Sequence, residues 1–492
     1  MRFRAILFSF VLATSAFAGT SIINPTTTNN DDSCDIAVQP AATLLLPFFE
    51  VDFKSPQNSA KTTLFTIQNV SNRPQIAHVT LWTDWGYPAL NFPIFLTGYD
   101  VQGINLYDIF ARAIIAPGSS PGNSGTSSNT PVPTNPTSGS QPAGNGGNPN
   151  FLADVPTACA QIPGVFATSL LTDIQQIFTT GVPNDNQLGC PITNPATGNT
   201  NRFGGVHPNA IGYITIDVVA TCSAKNALSR DFFANVLLYD NVLTGDYQQI
   251  FPRGDKSYAQ GGPLVHIRAV PEGGPAGATV ATNLPYTFYD RYTVNLPSNR
   301  TMDRRQPLPS VFAPRYINGG SGGFNSELKI WREGVTGSDA ACTDYVRNNA
   351  LPLTEVVRFD EHENATVFPL SVGSPAPPPP ATPLAVTVAN GNTAFLPPFS
   401  TSGDVGGWMY LNLNNGGSSV YSVGIVPPGI ARDFRSNTST TVGLRQSQNW
   451  VITSMFAEPT YATEATAVAL GNGCSPSPKA GAQITPAPNP NP

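Results

Sequence analysis

Short runs of alternating apolar and polar residues, cut by Gly, Asn and Pro, constrain this chain more than any other feature. TTLFTIQ (62–68), IAHVTLWT (76–83) and IGYITIDVV (211–219) repeat with period two, which puts every second side chain on one face of a strand. Similar runs lie at 42–50, 264–270, 310–317, 326–332, 354–360, 384–389, 408–413, 420–426 and 450–456. Pro47 interrupts the first and implies an edge or kinked strand. The turn-rich segment 69–74 implies that 62–68 and 76–83 form a β-hairpin, with Leu64, Ile67, Val79 and Leu81 in its core. Residues 91–110 fit two more short strands around Gly98 and Gly103 that end in a helical turn. The fold class expected is mainly β: one or more antiparallel β-sandwich (Ig-like) units, with a few short helices and long Gly/Pro/Ser-rich loops.

Two helices are expected. Residues 165–180 carry an apolar stripe (Phe166, Leu170, Leu171, Ile174, Ile177, Phe178) followed by Gly181 as a stop, and 226–238 fits a second, shorter helix. A weak internal similarity is also visible. LLPFFEV, TTLFTIQN and AHVTLWTDWG align loosely with FAPRYIN, SELKIWREG and TEVVRFDEHE, as two related units would. Period-two patterns align easily, so this similarity is unspecific by itself.

The first eighteen residues read as a removable export signal. Arg2 and Arg4 precede the nine-residue apolar run AILFSFVLA, and Ala16-Phe17-Ala18 supplies a small-x-small cleavage pattern before Gly19. A spanning helix needs roughly 20 apolar residues, about twice that run. The expected organisation is a signal peptide (1–18), a flexible leader (19–40) and a first sandwich region (41–270). The first region carries a disordered loop (116–150) and a helical insertion (151–200). A second sandwich region (271–474) carries a Pro-rich loop (373–383), and a disordered tail (475–492) follows.

Composition excludes several functions. The net charge is −6, and −8 once Arg2 and Arg4 leave with the signal, with no basic run, so nucleic acid is a poor partner. Only 11% of residues are charged, a habit that suits exported β proteins. Six cysteines in an exported chain read as three disulfides; the preferred pairs are Cys159–Cys190, Cys34–Cys474 and Cys222–Cys342. No CxxC spacing supports a zinc ribbon or a thioredoxin-like site.

Candidate chemistry is sparse. Asp360-Glu361-His362-Glu363-Asn364 follows a strand and offers oxygen ligands for Ca²⁺, or an imidazole for a transition metal, but matches no known ligand spacing and reads equally as a solvated turn. Eight arginines fall within 291–358, among matching acids. If 326–332 paired with 354–360, Arg332, Glu333, Arg358 and Asp360 would meet across the sheet, as an anion groove or, more in keeping with the nearby acids, as a structural ion-pair network. Trp85 is the better exposed aromatic for stacking on a sugar, whereas Trp82 keeps its strand's alternation and belongs to the core. His78 and His266 alternate within strands, His207 follows Gly204-Gly205, and there is no GxSxG elbow. Arg253-Gly254-Asp255 spells an integrin tripeptide, a three-residue match expected by chance.

The expectation is an exported, non-enzymatic protein of the cell surface, envelope or extracellular matrix, with extracytoplasmic proteins or glycans as partners and no cofactor. The alternatives are a secreted polysaccharide or ester hydrolase with a loop-built site, and a carbohydrate- or Ca²⁺-binding module.

Overall fold

The computed structural model describes residues 38–84, 86–115, 168–182, 203–221, 232–253, 256–270, 272, 288–289, 303–309, 311–317, 324–332, 355–368, 388–389, 406–412, 421–424, 441–445, 449–457, 461–466 and 468–469. Within them the chain is mainly β, every ladder is antiparallel, and two short helices and one π-helical turn complete the structure. The first half contributes β1 (Thr43–Val51), β2 (Thr62–Asn69), β3 (Gln75–Thr83), β4 (Pro88–Leu96), β5 (Val101–Asn105), α1 (Leu106–Arg112), α2 (Thr168–Thr180), β6 (Ala210–Val219), β7 (Leu243–Thr244), β8 (Asp246–Arg253), β9 (Lys256–Pro263) and β10 (Val265–Ile267).

One sheet runs β10-β1-β6-β3-β4 and another β5-β2-β8-β9, with β7 also on β2. Leu44 and Phe49 of β1, Val79 of β3, Ile214 of β6, Phe65 and Ile67 of β2 and Ile104 of β5 belong to one buried apolar cluster. The helices close one end of it. Phe110 of α1 and Phe178 of α2 meet edge to face at 5.1 Å, and both lie within 5.8 Å of the Phe49 ring. As the sequence implies, α2 ends at Gly181, which takes a φ of +72° and donates its N–H to the Ile177 carbonyl.

Three expectations need correction. The 62–68 and 76–83 runs are not a hairpin: β2 pairs with β5, β7 and β8, while β3 pairs with β4 and β6 in the other sheet. Asn69 turns the chain across, donating from Nδ2 to the carbonyls of Arg73 and Thr97 at 2.7 and 2.8 Å. Alternation reports the face of a strand, not its partner. Leu64 is also not core; it is half-buried, while Phe65 and Ile67 point inward. Leu64 and Ile67 stand three positions apart, so a strand sends them to opposite faces. Finally, β1 is no simple edge. It pairs with β6 along its length and with β10 at Thr43–Leu45, and Pro47 sits at the register shift between Leu46 and Phe49, where its missing N–H is tolerated. Of the expected second helix, the described part is the π turn Phe232–Val236.

The second half repeats the strand order of both sheets, without a counterpart of β7. Its larger sheet runs Val468–Ala469, Val311–Ala313 with Arg315–Ile317, Gly406–Asn412, Glu355–Asp360, Ala365–Phe368, the order of β10-β1-β6-β3-β4. Its smaller sheet runs Val388–Ala389, Phe324–Arg332, Asn449–Ala457, Tyr461–Thr466, the order of β5-β2-β8-β9. Chain order matches as well. Insertions differ: the helices lie between β5 and β6, whereas the second half places the hairpin of Tyr421–Gly424 and Thr441–Arg445 after Gly406–Asn412.

Residue register carries the match further. Gly212-Tyr213-Ile214-Thr215-Ile216-Asp217 of β6 corresponds to Gly407-Trp408-Met409-Tyr410-Leu411-Asn412. Trp82 stacks on its ladder partner Tyr213, and Phe359 stacks on its own ladder partner Trp408. Both glycines are sterically required. A Cβ at Gly212 would meet the Trp82 carbonyl oxygen at 2.2 Å and the Phe49 ring, and one at Gly407 would meet the Phe359 carbonyl oxygen at 2.0 Å and the Tyr316 ring. Phe49 and Tyr316 occupy corresponding positions two residues after Pro47 and Pro314. The loose similarity in the sequence therefore marks two copies of one strand topology.

Candidate binding groove

Among the described residues an open groove of about 690 Å³ lies where the β2-β8-β9 sheet meets β10, its lining a mixture of polar side chains and apolar surface that includes Val38, Tyr247, Ala259 and Pro263. It follows from strand alternation. Thr66 and Gln68 of β2 and Asp246 and Gln248 of β8 point away from the apolar cluster that takes Phe65, Ile67 and Tyr247. Thr244, Ala259, Gly261 and Pro263 continue the lining, and no Lys or Arg is part of it. The Thr66 hydroxyl donates to the Asp246 carboxylate, which fixes that corner.

Two buried side chains in the lining have an unmatched polar atom. Gln260 is 8% exposed and its Oε1 has no hydrogen-bond partner; His266 is 2% exposed and its Nδ1 has none. Burial holds His266 down at about 4, so the ring is neutral at pH 7. Its Nε2 accepts the Gly245 N–H at 3.2 Å, which leaves the ring proton on Nδ1. An unused donor and an unused acceptor thus lie in the walls, each costing roughly 1–3 kcal/mol in a closed fold.

A second polar pair sits at the far end of β3. His207 Nε2 and Asp84 Oδ2 are 2.7 Å apart, and the other Asp84 oxygen accepts the Gly205 N–H at 2.9 Å. Asp84 is 2% exposed. An imidazole whose Nε2 carries a proton donates it to this carboxylate.

A third group is wholly buried. Arg305 reaches Asp303 Oδ1 at 3.2 Å, the Leu238 carbonyl at 3.0 Å and the Thr43 hydroxyl, with Asp217 Oδ1 at 3.7 Å. Asp217 also accepts from Thr43 and, at 2.8 Å, from the Tyr289 hydroxyl. Burial pushes the Asp217 carboxyl up against the pull of Arg305 and these hydrogen bonds. Burial also opposes the Arg305 charge, but Asp303 and Asp217 more than offset it and hold the guanidinium above its usual value. Arg304 stacks on Tyr239, its Cζ 3.9 Å from the ring centroid. This cluster joins the segment before the second unit to β1 and β6 of the first, and its geometry is that of a brace.

The residues singled out from sequence fall elsewhere. Trp85 and all six cysteines lie outside the described residues, as does the signal segment. Trp82 is buried as expected and donates to the Thr215 hydroxyl at 2.8 Å. Arg332 and Arg358 are not brought together by strand pairing: Arg332 stands opposite Asn449 in the smaller second-unit sheet, and Arg358 opposite Met409 and Thr366 in the larger. Each run found a topologically equivalent partner to that of β2 or β3, and those partners differ.

Asp360–Asn364 is the turn between Glu355–Asp360 and Ala365–Phe368. Asp360 Oδ1 accepts the backbone N–H groups of His362 and Asn364, and Oδ2 accepts from Asn364 Nδ2. These bonds, that from the Asn364 side chain foremost, hold its carboxyl below the usual range. Glu361, His362 and Glu363 are exposed, and among the described residues no group of three His, Cys, Asp or Glu side chains is placed to hold a metal.

Sequence reading missed β8 and β9 and with them the groove. The usable signal was Gly254-Asp255, a dipeptide suited to a two-residue hairpin loop, between Arg253 and Lys256, which face each other across the ladder. No protein-family model, no curated protein and no solved structure matches the chain.

Proposed function

We propose that this is an exported, non-enzymatic β-sandwich protein of the cell surface, envelope or extracellular matrix, and that it acts by binding through the groove on β2, β8 and β9. The observation that carries the reading is the pair of unmatched buried atoms in the groove wall, Gln260 Oε1 and the protonated Nδ1 of His266. Folded proteins pair most such groups, and of the fourteen unmatched buried atoms among the described residues these two belong to side chains that line a groove open to a ligand. The basic-apolar-small pattern of residues 1–18 and the low charge support export.

The test has two parts. The protein recovered outside the cytoplasm is expected to begin at Gly19, and intact retention in the cytoplasm would refute export. Binding of the labelled protein to isolated envelopes is expected to disappear in Ala259→Trp. Ala259 is exposed, lines the groove and stands on the same face as Gln248, so an indole there occupies the groove side of the sheet.

A second reading, a secreted hydrolase, is favoured by the Asp84–His207 pair, in which a buried carboxylate orients an imidazole as a general base requires. Turnover of a polysaccharide or ester that is lost in His207→Ala, with the melting temperature unchanged, would establish it over the binding reading.

A further inference from the structure

We infer that the groove takes a strand of neutral polysaccharide, an inference that rests on the binding reading above. Gln248 stands opposite Leu64 and Thr244 opposite Gln68, so the outward groups of β8 and β2 share one face. Same-face side chains recur about every 6.6 Å along a strand, and neighbouring strands lie about 4.8 Å apart. Thr244, Asp246 and Gln248 therefore form one row, and Gln68 and Thr66 form a second beside it. Two parallel rows of short polar groups suit an extended polymer lying along the strands. On the β9 side, Ala259, Gly261 and Pro263 keep the wall low.

The chemistry selects the polymer. Hydroxyls and carboxamides donate and accept at one site, as sugar hydroxyls do. Among the described lining residues no Lys or Arg is present to pair with a uronate or sulfate, and the Asp246 carboxylate disfavours one. His266 adds an N–H donor and Gln260 a carbonyl acceptor among the lining residues. A peptide strand, by contrast, gains its affinity from backbone hydrogen bonds along a sheet edge, whereas the outward rows of β2 and β8 present side chains.

The experiment titrates the full chain with a soluble neutral glucan, a neutral mannan, polygalacturonate and an uncharged extended peptide, by calorimetry and affinity electrophoresis. At least one neutral polysaccharide is expected to bind, with about tenfold weaker affinity in Gln248→Ala and in Gln68→Ala, both exposed positions whose truncation leaves the fold intact. Ala259→Trp, at an exposed lining position on the same face as Gln248, is expected to abolish binding with an unchanged circular dichroism spectrum. Failure of both neutral polysaccharides to bind, or binding indifferent to Gln248→Ala and Gln68→Ala, overturns the proposal. Binding of polygalacturonate or peptide that is lost in Ala259→Trp overturns the ligand class alone and leaves the groove standing. Binding untouched by Ala259→Trp overturns the groove itself.

Discussion

The two units share strand order, chain order and a glycine-aromatic motif on the central strand, yet they differ in the polar residues at equivalent positions beside it. The first unit places Asp217 where the second has Asn412, and His78 where the second has Glu355. Asp217 is charged company for Arg305, which arrives from the segment before the second unit; Asn412 is its neutral counterpart. The difference teaches that the common topology keeps the two glycines and their stacked aromatics while the polar residues at equivalent positions change, and in the first unit Asp217 serves the contact with Arg305.

The largest effect should come from breaking the brace. Arg305→Ala leaves Asp217 and Asp303 buried without a cation and is expected to cost about 3–5 kcal/mol in denaturant unfolding. Adding Asp217→Asn, which imitates the second unit, is expected to restore part of that loss. A double variant as unstable as the single would show that the charge of Asp217 is not what Arg305 neutralises.

Next come the paired glycines. Gly212→Ala and Gly407→Ala each drive a Cβ into a backbone oxygen and are expected to cost about 3 kcal/mol apiece. Similar losses on equilibrium unfolding support the equivalence of the units. A harmless change at either position would break it.

The histidines give a smaller, pH-dependent contrast. Burial lowers His78 and His266 to about 4, from 6.5 in the unfolded chain. The unfolded state therefore takes up protons first as pH falls, and stability is lost between pH 6.5 and 4 and fully present above that window. His78 alone should contribute about 2 kcal/mol of loss between pH 7 and 5. Neither ring nitrogen of His78 has a hydrogen-bond partner among the described residues, so His78→Leu is expected to be tolerated at pH 7 and to flatten the slope. A slope unchanged in His78→Leu would show that His78 is not the titrating group. The buried Asp217, raised instead of lowered, contributes with the opposite sign, since its stabilisation fades as pH rises through its folded value.

The smallest effect belongs to the second unit's turn. Asp360→Ala removes three bonds that hold an exposed hairpin and is expected to lower stability by about 1 kcal/mol or less. A Ca²⁺-dependent rise in melting temperature that this variant abolishes would instead make the turn a metal site.

Much of the fold was legible. Alternation located β1, β3, β6 and most later strands, the apolar stripe and Gly181 located α2, and Pro47 marked the irregularity in β1. The groove was not legible. DYQQIFPR and KSYAQGGP, the sequences of β8 and β9, carry too few apolar residues to register as strands, because one face meets solvent and glycines replace side chains on the other strand. The Asp84–His207 and Asp217–Arg305 pairs join residues far apart in the chain, so no local spacing announces them.

What the sequence determined by itself is local: which segments extend, which faces they bury, and where Gly and Pro interrupt them. These follow from backbone sterics and the alternation of side chains, which act within a few residues. Only the tertiary structure decided which strands pair, that two units share one order, and that Thr66, Gln248 and His266 line a single groove. Those depend on contacts between distant segments, and many pairings satisfy the same alternation until packing selects one.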